Sequence, residues 1–250
     1  MENDKNTCIT LLADKNYIHF FPKIYKQIRE VGNFDGDINL ITNKKKLKIK
    51  PRNYNKVNIF EFDQIRFSED CNKELNNIPN GRNKVKPYQW NKFYLFDTLF
   101  KNWNFNLYID INMTINKEID AFFDVKPINK LFAPYDAYPD LDWTLESQFT
   151  ENKNKIRTLK ERFNLETRKY FQTGILYYDT DLINNEIFDN LIELVEKYPV
   201  SKNNEQGILN LYFLYEYPKF EALPKSYNNN DLYTYWKNQN NPAIITKSEK

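Results

Sequence analysis

Asp14, Asp110 and Asp136 each stand where an apolar run (TCITLLA, LYI and LFAPY) gives way to polar residues. In open parallel α/β sheets, ligands collect beyond the carboxyl ends of the strands, so three such ends can converge on one polar site. Asn112 follows Asp110 by two residues, and in extended chain both side chains would point to one face. A pair of oxygen donors of this kind can hold a divalent cation, and the cation can neutralise a diphosphate. The pair alone is weak evidence, because any strand that meets a loop can present it.

Counting narrows the remaining chemistry. The 250 residues include one histidine, His19, and two cysteines, Cys8 and Cys71. Multi-histidine metal sites, paired imidazole relays, disulfide scaffolds and cysteine-rich clusters are excluded. The five glycines, Gly32, Gly36, Gly81, Gly174 and Gly207, are too scattered for a dinucleotide or Walker loop. Any divalent metal must therefore be bound mainly through oxygen, which favours Mg, Mn or Ca over Zn. Lys plus Arg number 36 against 34 Asp plus Glu; without a strong basic excess, no nucleic-acid partner is expected. No apolar run reaches the ~18 residues that cross a bilayer, so no transmembrane segment is expected. The opening MENDKNTCITLLADKNY lacks a charged n-region followed by a long apolar stretch, so no signal peptide is expected either. A reducing, cytoplasmic location is the expectation.

The elements that must position these residues read as strand and helix in alternation. TCITLLA is a strand, and NYIHFFPKIYKQIREV has apolar residues at helical spacing, with Pro22 tolerated in the first turn. Gly32 and Gly36 flank a turn into the strand GDINLIT, and a lysine-rich run at 44–52 leads to the strand VNIFEF. That run reads as a solvated edge or loop, an anionic-surface or acceptor role being the alternative. Residues 66–88 read as an irregular polar loop near a site, and KFYLFDTLFKNW as a helix. LYIDINMTI, KLFAPYD and GILYYDT read as strands, with an amphipathic segment at Ile156, Leu159 and Phe163. Two helices around 183–197 and 205–216 precede a last strand, PAIITK. The alternation argues for an α/β fold with a mostly parallel sheet flanked by helices, and the lack of a linker argues for a single domain.

Four stretches in this order resemble the glycogenin and bacterial lipopolysaccharide galactosyltransferase type of GT-A enzyme, glycosyltransferase family 8. They are ITLLADKNYIHFFPKIYKQI, KFYLFDTLFKNWNFNLYIDINMTI, YFQTGILYYDT and NNEQGILNLYF. The likeness runs from about residue 7 to 246. It implies a Rossmann-like GT-A fold, with a nucleotide-binding half at about 7–115 and an acceptor and sugar half at about 116–250. It also implies a UDP-sugar-dependent hexosyltransferase, retaining and dependent on Mn²⁺ or Mg²⁺, that glycosylates a glycan, protein or lipid hydroxyl. Glucose or galactose is the expected sugar.

Carried over by position, the resemblance places Leu12, Ala13, Asp14, Asn16 and Tyr17 around base and ribose, with Tyr17 stacking on uracil. Lys92 would stand near the donor phosphates or sugar. Asp110, Ile111 and Asn112 would form the nucleotide and metal stretch, with Asp110 and Asn112 as metal ligands. Asp136, Gln172, Thr173 and Gly174 would border the sugar pocket. Glu205 and Gln206 would lie under the anomeric carbon, and Lys247 would reach the diphosphate. Gln206 is an amide and cannot serve as a strong base, so a front-face retaining mechanism suits it.

The chain departs from the family at three places. Asn112 stands where an aspartate is usual, which should weaken metal binding. Gln172 stands where an asparagine is usual. Thr246 stands near the usual metal-ligating histidine, with only Lys247 and Lys250 after it. A catalytically impaired nucleotide-sugar-binding protein is therefore the alternative reading. A nucleotidyltransferase would want a glycine-rich basic loop after the first strand, which LLADKNYIHF does not offer. Residue by residue, plainer roles compete: Tyr17 as core, Lys92 as a solvated helix lysine, His19 on a helix flank and Cys8 inert in a strand. Tyr25, Tyr88 or Trp90 could wall a sugar. The oligomeric state stays open, a homodimer being one option.

Overall fold

A computed structural model describes residues 7–43, 54–234 and 243–247. The lysine-rich run at 44–52 and Lys250 lie outside the described residues. Apolar runs too short for helices make the central strands: β1 (Thr7–Leu12), β2 (Ile38–Thr42), β3 (Val57–Glu61) and β4 (Phe105–Ile109). Further along come β5 (Met113–Ile115), β6 (Leu131–Ala133), β7 (Ile175–Asp179) and β8 (Phe220–Ala222). Seven of them form one sheet in the order β3-β2-β1-β4-β7-β6-β8. Within it only β7 runs against its neighbours, pairing antiparallel with β4 and β6. The sheet is mostly parallel, as expected.

β2, β4 and β7 are buried at every residue, as near-continuous apolar runs covered on both faces should be. Alternate side chains enter different cores, Cys8, Leu12 and Tyr108 on one face and Ile9, Leu11 and Ile109 on the other. Polar residues that cross the sheet interior satisfy one another. Thr10 Oγ1 donates to Asn106 Oδ1 at 2.7 Å, and Asn106 Nδ2 donates to the Tyr178 hydroxyl at 2.8 Å.

Helices cover both faces. α1 (Phe21–Lys26) starts with Pro22 in its first turn and turns into a wider π-type coil at Gln27–Val31. The 66–88 segment is not a loop throughout: α2 (Glu69–Asn76) forms inside it. Ser68 accepts the Cys71 amide, and Glu69 and Asp70 sit where the helix dipole favours them. α3 (Asp120–Asp124), α4 (Lys153–Arg162), α5 (Ile187–Lys197) and α6 (Glu205–Leu211) follow, α6 running on as a wide coil at Tyr212–Glu216.

The expected helix KFYLFDTLFKNW is instead two tight 3-10 segments, Pro87–Phe96 and Thr98–Asn102. Trp90, Phe93 and Phe96 recur every third residue and are buried, which matches three residues per turn. Asp97 breaks the run in extended conformation and caps the second segment by accepting the Leu99 amide. Four short strands complete the described residues: β9 (Ser226–Tyr227), β10 (Asn230–Asp231), β11 (Tyr233–Thr234) and β12 (Ile245–Lys247). β12 pairs antiparallel with β5, in a register that sets Lys247 opposite Met113. No described helix is long and apolar enough to cross a membrane.

Candidate active site

β1 ends at Leu12, and the chain bends at Asp14. The Asp14 carboxylate accepts the backbone amides of Asn16 at 2.8 Å and Tyr17 at 3.1 Å, so it closes the turn that leads into the helical stretch. Tyr17 is half-buried, and the Lys86 ammonium lies 5.9 Å from its ring centre. Asn16 is exposed and donates from Nδ2 to Asp14 Oδ2 at 3.2 Å, and His19 is exposed as well.

β4 ends at Ile109. Asp110, Ile111 and Asn112 do not continue it in extended form. They make a turn, closed by the Met113 amide on the Asp110 carbonyl at 2.9 Å, so the same-face pairing expected of an extended strand does not apply. The Asp110 amide donates to the Gly174 carbonyl at 2.8 Å. Gly174 is in turn anchored by its amide to Gln172 Oε1. Gln172 and Gly174 thus set the position of Asp110 from behind.

Lys92 reaches this turn from inside the molecule. It is 2 % exposed, not a solvated helix lysine. Its ammonium lies 3.1 Å from Asp110 Oδ1 and 2.9 Å from Glu205 Oε1, and donates to the Thr173 carbonyl at 2.9 Å. Thr173 Oγ1 donates to Glu205 Oε1 at 2.8 Å, and the Tyr108 hydroxyl donates to Asp110 Oδ1 at 2.6 Å. Burial alone would push the Lys92 ammonium below its ordinary value. The Asp110 and Glu205 carboxylates outweigh it and hold that value up, so Lys92 stays charged.

Glu205 and Gln206 are held at the start of α6. Asn204, just before it, has φ 51° and donates from Nδ2 to the Lys86 carbonyl at 2.9 Å. Asn210 ties the same helix to Phe171: Oδ1 accepts the Phe171 amide at 2.8 Å, and Nδ2 donates to the Phe171 carbonyl at 2.7 Å.

Around these groups lies a cavity of about 550 Å³. Of the residues expected from the sequence, Leu12, Ala13, Asp14, Tyr17, Lys92, Asp110, Ile111, Asn112, Asp136, Gln206 and Lys247 line it. Asn16, Gln172, Thr173, Gly174 and Glu205 do not; the last four stand behind the wall. Of the three aromatics considered for a sugar wall, Tyr88 lines the cavity. Trp90 is core, its indole N–H donating to Asn83 at 2.7 Å, and Tyr25 packs on Tyr54.

The cavity has further lining residues that sequence reasoning passed over: Arg82, Lys86 and Gln89 from one stretch, Trp143, Ser147 and Gln148 from another, and Lys202 with Asn203. Only the placing of 66–88 near a site pointed at Arg82 and Lys86. Gln148 is the hub of the polar floor. It donates to Asp136 Oδ2 at 3.3 Å and accepts the amides of Gln206 and Asn203, each at 2.8 Å. Burial raises the Asp136 carboxyl above the ordinary range, against Tyr170 and Gln206 hydrogen bonding and the Arg82 and Lys247 charges. Partial desolvation, together with the like charges of Arg82 and Lys86, lowers the Lys247 ammonium, against the attraction of Asp110 and Asp136.

The residues present do not fit the Mn²⁺ or Mg²⁺ site that the resemblance implies. Asp110 is the sole carboxylate of the turn, and one of its oxygens already holds Lys92 and Tyr108. Asn112 brings a neutral amide, and Thr246 Oγ1 is engaged by Asn116 Nδ2 at 3.1 Å. Among the described residues no cluster of three or more His, Cys, Asp or Glu could hold a metal ion. Hard cations favour several anionic oxygens, and those are missing here.

Comparison with known proteins adds to this geometry. A family model described as Glycosyl transferase family 8 matches residues 8–249. Galactinol synthase 2 of Arabidopsis thaliana is 25% identical over 134 residues, 52% of this chain and 38% of that protein. The match thus spans well under half of that relative. Among solved structures, the galactosyltransferase LgtC with donor and acceptor sugar analogues aligns over 96% of this chain and 86% of its own, with TM-score 0.62 and 16% identity. The glycosyltransferase GlyE of Streptococcus pneumoniae TIGR4 aligns over 91% of this chain and 47% of its own, with TM-score 0.56 and 14% identity. At such identities the structural likeness speaks for the fold, and the fold is GT-A.

Proposed function

The chain belongs to glycosyl transferase family 8, and from that premise we propose that its cavity takes a UDP-sugar and transfers a hexosyl unit, glucose or galactose, to a hydroxyl group of a glycan, protein or lipid, with retention. The observation that carries this reading is the buried Lys92, held between Asp110 and Glu205 at the edge of a cavity rich in cations. Tyr17 and the end of β1 offer a surface for the base. Gln206, Gln148 and Asp136 offer hydrogen bonds to sugar hydroxyls.

In the transfer, the bond from the anomeric carbon to the phosphate oxygen breaks and a bond to the acceptor oxygen forms. The acceptor proton passes to the departing phosphate oxygen, leaving UDP and the glycosylated acceptor. Positive charge grows on the sugar ring and negative charge on the diphosphate. Fixed charges in a dry site stabilise such development more than water does, since they need not reorganise. Glu205 is committed to Lys92, and Gln206 does not titrate, so neither suits a covalent intermediate. A front-face route, with the acceptor held beside the leaving group, asks only for positioning.

Asn112 and the poor metal set favour a second reading, a sugar-nucleotide binder that has lost turnover. Incubation with UDP-glucose or UDP-galactose separates the two. UDP release that depends on Lys92 supports transfer or hydrolysis, and protection from thermal unfolding without UDP release supports the binder. The absence of both protection and UDP release would overturn the proposal.

A further inference from the structure

Resting on the reading that this cavity takes a UDP-sugar, we propose that Arg82, Lys86 and Lys247 carry the charge of the leaving diphosphate in place of a divalent metal ion. Two independent features meet here. The first is the donor set at the turn after β4, where the single carboxylate, Asp110, is already bonded to Lys92 and to Tyr108. A dication brought there would share the one carboxylate with those partners and would gain only a neutral amide from Asn112.

The second is where the chain puts its cations. The β5–β12 register sets Lys247 opposite Met113, immediately after that turn. Arg82 and Lys86 line the same cavity, and Lys86 lies against the Tyr17 ring, at the boundary between base and phosphates. Arg, Lys and Asp are the only ionisable types among these lining residues besides tyrosine: five cations against Asp14, Asp110 and Asp136. Lys92 is matched by Asp110 and Glu205, and Lys202 lies 3.4 Å from Glu151, so the cations left to face Asp14 and Asp136 across the cavity are Arg82, Lys86 and Lys247. Like charges gathered in one recess repel a further cation and attract an anion. The guanidinium of Arg82 also offers the planar fork that suits two phosphate oxygens.

Calorimetric titration with UDP and with uridine, in EDTA and in excess MnCl₂, tests this on the full chain. UDP is expected to bind in EDTA, with Mn²⁺ tightening it by less than about tenfold. Arg82→Ala and Lys247→Ala should each weaken UDP by about tenfold or more, leave uridine unchanged and leave the melting temperature unaltered. Tightening by Mn²⁺ of more than about tenfold, or UDP affinity unchanged in both variants, would overturn the proposal while keeping the sugar-nucleotide reading. No binding of UDP in either buffer would remove both.

Discussion

Lys92 is a full charge almost wholly withdrawn from water, and its two carboxylate partners make that tolerable. Removing one member of a buried ion pair leaves the other uncompensated, at a cost of roughly 3–5 kcal/mol. Lys92→Ala should therefore lower stability by about that amount in chemical denaturation, and abolish UDP release. Replacing Lys92 by Met together with Glu205→Gln should recover most of the stability, because the stranded charge goes too, while UDP release stays lost. If the double variant regained turnover, Lys92 would be structural only. Asp136 behaves in the opposite sense. Burial raises its folded pKa above the unfolded one, so the protonated form stabilises the fold and that contribution fades as pH rises through the folded value. Asp136→Asn should accordingly raise the melting temperature at neutral pH, with the gain shrinking toward acid; a gain that grew in acid would contradict this. That Asp14, Asp110 and Asp136 would face one cavity was legible in the sequence, because each follows an apolar run; Glu205 follows a polar stretch and was named only through the resemblance. Burial of Lys92 was not legible, because KFYLF places a lysine among aromatics without saying which side it faces.

At the scale of elements, the start of α6 decides where Glu205 and Gln206 point. A Cβ added at Gly207 would stand 2.6 Å from Ser201 Oγ and 2.9 Å from the Phe149 ring. Alanine favours a helix over glycine by up to about 1 kcal/mol, but overpacking against a ring costs about 1–3 kcal/mol. Phe149 is buried and cannot swing aside, so the clash wins. Gly207→Ala should destabilise the protein by about 1–2 kcal/mol and reduce turnover more than UDP affinity; a neutral or stabilising result would mean the helix start is looser than it looks. The central strands were readable as short, mostly apolar runs, and α4, α5 and α6 from apolar residues at helical spacing. The pair of 3-10 segments was not, because aromatics spaced by three fit an α-helix nearly as well. α2 hid in polar residues, and strands of two or three residues are too short to leave a pattern.

The whole molecule holds its site at a seam. β1 and β4 lie side by side in the sheet, and the residues just past their ends line one cavity. β12 crosses to β5 from the far end of the chain, bringing Lys247 to the same turn. That closure joins residues more than a hundred positions apart, and only the resemblance to a known family, not any local pattern, foretold it. Since the ligand would touch elements from the whole chain, binding should stabilise the fold globally. At a hundred times the dissociation constant the gain is about 2.7 kcal/mol, and each kcal/mol moves the melting temperature roughly 2–4 °C in a chain of this size. A clear rise with UDP and none with uridine monophosphate at the same concentration would mark the diphosphate as the anchor; equal rises would not.

A crystal structure of the chain soaked with UDP-glucose or UDP-galactose puts the assignment of this cavity to the test without intermediaries. The base should lie by Tyr17 and the end of β1, the diphosphate between Lys247, Arg82 and the Asp110 turn, and the hexose over Gln206 and Asp136. A sugar nucleotide bound elsewhere, or a cavity that stays closed to it at saturating concentration, would contradict that placement.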